Sequence, residues 1–111
     1  MQVLEKRTYD NRVFDILCAA LLDSGETVVS ATVTADQGAM TFGSATVNSG
    51  ALTYSDGTIA AAGTVVQVRV SGGTIPLTQG ELLCTLRARA ATSSGGQLEA
   101  TVQLRLTDNP A

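Results

Sequence analysis

The chain has 111 residues, of which 44% are hydrophobic and only 4% aromatic, with no Trp and no His. That length and apolar content suit one folded domain with a core built from Val, Leu, Ile and Ala, and they argue against disorder. A formal charge of −3 leaves no basic stripe to displace the counterions of a nucleic acid, and no apolar run approaches the ~20 residues that cross a bilayer.

Residues 1–11 are polar and end in Thr8-Tyr9-Asp10-Asn11, which predicts a short edge strand or a docking arm. The opening residues lack the charged-then-apolar order of a secretory leader, so synthesis in the cytoplasm is expected. Val13 to Leu22 is an apolar run broken by Asp15. Phe14, Ile16, Cys18, Ala20 and Leu22 share one parity, as on a strand, although Val13, Leu17, Ala20 and Leu21 also fit a helical stripe. Asp15 lies on the opposite parity with Val13, Leu17, Ala19 and Leu21. That parity is either an ordinary exposed face or one covered by a second copy or by the amino-terminal arm. Asp23-Ser24-Gly25-Glu26 supplies a turn.

Thr27 to Ala35 predicts a strand with Val29, Ala31, Val33 and Ala35 inward, its β-branched content disfavouring a helix. Between Ala39 and Gly63 the chain is rich in Gly, Ser, Thr and Ala. Short strands are expected at 40–42, 45–48, 51–54 and 58–61, separated by Asn48-Ser49-Gly50 and Ser55-Asp56-Gly57 turns. Thr64 to Ser71 predicts a strand that ends at Gly72-Gly73, and Pro76 in the next loop removes a ladder donor.

The clearest signal comes last. Leu82, Cys84, Leu86, Ala88 and Ala90 alternate with Leu83, Thr85, Arg87 and Arg89, and Leu98, Ala100, Val102, Leu104 and Leu106 with Glu99, Thr101, Gln103 and Arg105, across a Thr92-Ser93-Ser94-Gly95-Gly96 turn. Each run has one oily and one wet face, which is the pattern of a hairpin in a sheet with one face buried. Residues 107–111 form a polar tail. The expected fold is therefore all-β: a single immunoglobulin-like antiparallel β-sandwich of seven to nine strands, with a jelly roll as the other architecture that fits.

Cys18 and Cys84 both fall on inward parities, on strands equivalent to those that immunoglobulin domains join by a disulfide. They are either a bridge, adding ~4 kcal/mol by loop closure, or two small buried thiols in a reducing cytoplasm. Two cysteines without His or CxxC spacing make no metal site. The acids sit mostly in turns or on outward parities. Asp23 and Glu26 flank Gly25 but lack the spaced oxygen ligands of a calcium loop. With no nucleophile–base pair and no phosphate loop, neither an enzyme nor a cofactor is expected.

A set of short motifs carries a resemblance. Gly25-Glu26-Thr27-Val28 and Ser71-Gly72-Gly73-Thr74, spread with Leu83-Cys84-Thr85-Leu86, Ala91-Thr92-Ser93-Ser94-Gly95 and Leu104-Arg105-Leu106 over residues 12–107, resemble small immunoglobulin-like accessory proteins of tailed-phage virions. That family carries Gly-Asp-Thr-Ile and Ser-Gly-Gly-Thr at the first two of these places. Its Trp, and the Tyr after its double glycine, have no counterpart in this chain; Leu82 lies near the Tyr position. The resemblance implies a non-enzymatic structural role in the virion. Many copies would dock on the major capsid protein or another repeated surface and self-associate there, with no nucleic acid and no membrane involved. Val3, Leu4 and Tyr9 in the arm, Asp23 and Glu26 in the first loop, and Ile75 and Leu77 in the loop around Pro76 are the expected partner contacts. A binding or adhesion module of a bacterial surface or secreted protein is the other reading.

Overall fold

A computed structural model describes residues 3–76 and 80–107. Six strands carry the fold: β1 (Val3–Arg7), β2 (Asn11–Leu17), β3 (Val28–Ala35), β8 (Val65–Ser71), β9 (Glu81–Thr92) and β10 (Gln97–Thr107). Four two-residue strands lie between β3 and β8: β4 (Thr41–Phe42), β5 (Thr46–Val47), β6 (Leu52–Thr53) and β7 (Ile59–Ala60). Among the described residues the count reaches ten, above the seven to nine expected: the four short middle strands fall within their expected ranges, and β1 adds one where the first residues form a strand.

One sheet has the order β1-β10-β9-β3 and the other β2-β8-β4, with β5 also on β8, while β6 and β7 pair as a small hairpin. The two larger sheets close on each other as a β-sandwich. The last hairpin behaves as its alternation predicts: Cys84, Leu86, Ala88, Ala90, Ala100, Val102, Leu104 and Leu106 are buried. Phe14, Ile16, Val66, Val68 and Val70 of the opposite sheet complete the core. Leu86, Leu104, Leu106 and Ile16 are fully buried, and each contributes about 1.5–3 kcal/mol by leaving water.

Two expectations, the extent of the strand from Val13 and the inward set of β3, are corrected, while of the two readings of the first residues the edge strand holds: β1 lies parallel along β10, with Leu4 opposite Leu104. This is also the one parallel pairing in an otherwise antiparallel set of described ladders. The strand from Val13 stops at Leu17, where Cys18 turns the chain (φ −112°, ψ −4°) into a 3-10 turn at Ala19–Leu21. Ala-Ala-Leu lacks the β-branching that would have held it extended. In β3 the inward set begins one residue out of step: Val28 is buried and Val29 is 60% exposed. Val28 pairs with Thr92 but Ser30 with Ala91, so a bulge inserts one residue and reverses the parity. Of the two readings of the cysteines, the buried thiols hold. Both are free, buried thiols. The Cys18 amide donates to the Thr64 carbonyl near the Thr92 end of β9, whereas Cys84 lies beside Gly38 and Leu106 towards the other end. A disulfide needs Cα atoms within about 7 Å, and most of the length of β9 separates these two sites.

Candidate interaction surface

The residues expected to meet a partner do not form one surface. Tyr9 is 85% exposed, in the turn where the Thr8 amide donates to the Thr107 carbonyl. Asp23 and Glu26 lie at the opposite end, against the β9–β10 turn. Ile75 is only 9% exposed and belongs to the core; its loop is tied down where the Thr74 amide donates to the Gly38 carbonyl at 2.7 Å. Leu4 is half-buried and packs on the core. Val3 pairs with Gln103 on the β1 edge. Leu77 lies outside the described residues.

The Asp23–Glu26 turn is a clamp. Its carboxylate accepts from the Asp23 amide at 3.1 Å, from the Thr92 hydroxyl at 2.8 Å and from the Ser94 hydroxyl. The Thr27 amide donates to Ser93 Oγ at 3.0 Å, 66 residues along the chain. The Ser94 hydroxyl, then the Asp23 amide and the Thr92 hydroxyl, hold the Glu26 carboxyl below its ordinary range. A carboxylate with these partners joins two loops and is spent structurally.

Sequence reasoning missed two polar devices. Asn48 is 5% exposed. Its amide donates to the carbonyls of Gly50 and Ala61 at 3.0 and 2.9 Å, and its Oδ1 accepts from the amides of Thr64 and Val65 at 3.1 and 3.0 Å. It was legible only as turn chemistry, although Asn is a residue whose side chain readily replaces backbone partners. Beside it Gly63 has φ +77°, and a Cβ there would come within 2.7 Å of Thr27, so the close approach requires glycine. Lys6, 2% exposed, donates from Nζ to the carbonyls of Arg7 at 2.8 Å and of Gly72. It ties β1 to the turn after β8, and burial pulls its pKa down against the raising effect of Asp10.

The exposed-face reading of this parity holds for Val13, Leu17 and Leu21, while Asp15 itself is partly covered. Tyr54 donates its hydroxyl to Asp15 at 3.0 Å, and Gln67 donates its amide to the other oxygen at 3.1 Å. The cover over this carboxylate is the chain's own β6–β7 hairpin. Val13 and Leu17, on the same parity, remain 50% and 44% exposed.

The outer face of the β1-β10-β9-β3 sheet is ionic. Glu99 faces Arg87 at 3.6 Å and Arg89 at 3.9 Å, while Arg105 faces Glu5 and Glu81, both at 3.5 Å. Such exposed pairs add at most about 1 kcal/mol each; their weight lies in what the face can recognise. A trough of about 610 Å³ crosses its β3 side, lined by Ser30, Thr32, Arg89, Ala91, Gln97 and Glu99 among others. Among the described residues, no group of three or more acidic, His or Cys side chains could hold a metal ion, and no helix is long and apolar enough to cross a membrane. No protein-family model matches the chain, and no curated protein is similar to it in sequence.

Proposed function

We propose that this protein is a non-enzymatic structural component of a tailed-phage particle: a multicopy decoration or accessory protein docked on the capsid or another repeated virion surface. The observation that carries the reading is the broad outer face of the β1-β10-β9-β3 sheet. It is a plane bearing paired Arg and Glu side chains over a continuous aliphatic core. Such a plane suits protein–protein contact, and weak contacts repeated over a symmetric lattice add up to strong attachment. The strand pairing supports an immunoglobulin-like topology, with β2 on β8 in one sheet and β3, β9 and β10 in the other, the first strand lying beside the last. The motif resemblance supports the virion setting, with the capsid protein or another virion protein as partner.

The test is mass spectrometry and electron microscopy of particles purified from cells that produce the protein. Many copies per particle, seen as regular density on a repeated surface, are expected. Complete recovery of the protein in the particle-free fraction overturns the proposal.

A further inference from the structure

We propose that the β6–β7 hairpin is a strap that opens as a unit while the sandwich stays folded, with the Tyr54–Asp15 hydrogen bond as its latch and the Asp15 carboxylate as the group it covers. This goes beyond the docking role and stands or falls without it.

Among the described residues β6 and β7 pair only with each other. Of residues 51–60 only Ala60, at the base, is buried, and none joins the core cluster. A two-stranded hairpin without such support is marginally stable at best. Its own hydrogen bonds lead inward. The Tyr54 amide donates to the Thr58 carbonyl at 2.8 Å and the Gly57 amide to the Tyr54 carbonyl at 2.9 Å. The Thr58 amide donates to Asp56 Oδ1 at 2.9 Å. These bonds make the tip one piece. Among the described residues, the one hydrogen bond from 51–60 to the rest of the chain is that of the Tyr54 hydroxyl, to Asp15 at 3.0 Å.

The base is bolted instead. Asn48 donates to the carbonyls of Gly50 and Ala61, one on each side of the hairpin, and the Gly63 amide donates to the Asn48 carbonyl at 2.9 Å. Motion is thereby confined to residues 51–60. The tip stands off the sheet: a recess of about 280 Å³ lies between Leu17 and the hairpin's Tyr54, Ser55, Asp56 and Thr58. Releasing the latch therefore costs no core packing, which is the condition for a segment to open far below the free energy of global unfolding. In the closed strap Asp15 accepts from Tyr54 on one oxygen and from Gln67 on the other. Opening withdraws the Tyr54 donor and admits solvent to this carboxylate, between the exposed side chains of Val13 and Leu17.

The experiment is amide hydrogen exchange of the whole protein followed by NMR. The Tyr54 and Gly57 amides should be protected, yet exchange faster than Gly63 and Val65 at the base and faster than the β9–β10 ladder, with little dependence on added urea. Tyr54→Phe should speed exchange at position 54 and at Gly57 about tenfold and leave the base and the ladder unchanged. Asp15→Ala should act at the same two amides, and the double variant should gain no more than the larger single effect. Exchange of Tyr54 and Gly57 in step with the β9–β10 ladder, no protection of either in the parent chain, an unchanged rate in Tyr54→Phe, or additive effects in the double variant overturns the proposal.

Discussion

The Tyr54 hydroxyl reaches Asp15 at 3.0 Å, 39 residues away in sequence, and pins the β6–β7 hairpin over the outer face of the β2-β8 sheet. Burial, then the hydrogen bond to Asp15 and its charge, push the Tyr54 pKa up to about 12. Because the folded value lies above the ordinary 10, the associated stability is full below pH 10 and is lost as pH rises from 10 to about 12. Ultraviolet titration of a Tyr9→Phe variant, which leaves Tyr54 as the only tyrosine, should show ionisation near the upper value. Adding Asp15→Asn should lower it. In Tyr54→Phe, loss of a bond to a charged acceptor should cost about 1–2 kcal/mol in urea unfolding.

Asn48 supplies four hydrogen bonds from one buried side chain. Asn48→Ala takes the acceptor from the buried Val65 amide and the half-buried Thr64 amide, so a loss of about 2 kcal/mol is expected, read as a lower urea midpoint at unchanged slope. A loss under 1 kcal/mol would mean that water replaces the amide without penalty.

Glu26 gives the fold an acid-sensitive joint. Its carboxyl is held below the ordinary 4.5 by the Ser94, Asp23 and Thr92 donors. The stability it lends is present above that value and lost as pH falls below it. Thermal melts from pH 6 downward should fall less steeply in Glu26→Gln than in the parent chain. Parallel curves would show that the clamp contributes nothing ionic.

The two thiols offer a direct chemical check. Both are buried and free, and burial raises the pKa of each, Asp36 adding to the effect at Cys84. A thiol reagent should find neither in the native protein and both in denaturant, with no change in mobility on reduction. No reactive thiol in denaturant, with both appearing on reduction, would point to a bridge.

The sequence by itself determined the all-β class, the last hairpin and the four short strands of the middle region, because period-two alternation and Gly, Asn and Asp turns are local signals. Leu86, Ala88, Val102 and Leu104 are buried where their parity placed them. Only the tertiary structure decided the rest. The bulge that turns Val29 outward depends on how β3 meets β9. The parallel seat of β1 depends on the edge that β10 offers. The separation of Cys18 from Cys84 follows from where each strand sits along the sandwich, and the pairing of Tyr54 with Asp15 from where a hairpin lands. Alternation records which face of a strand avoids water, whereas partner and position depend on contacts between residues far apart in the chain, which no local pattern encodes.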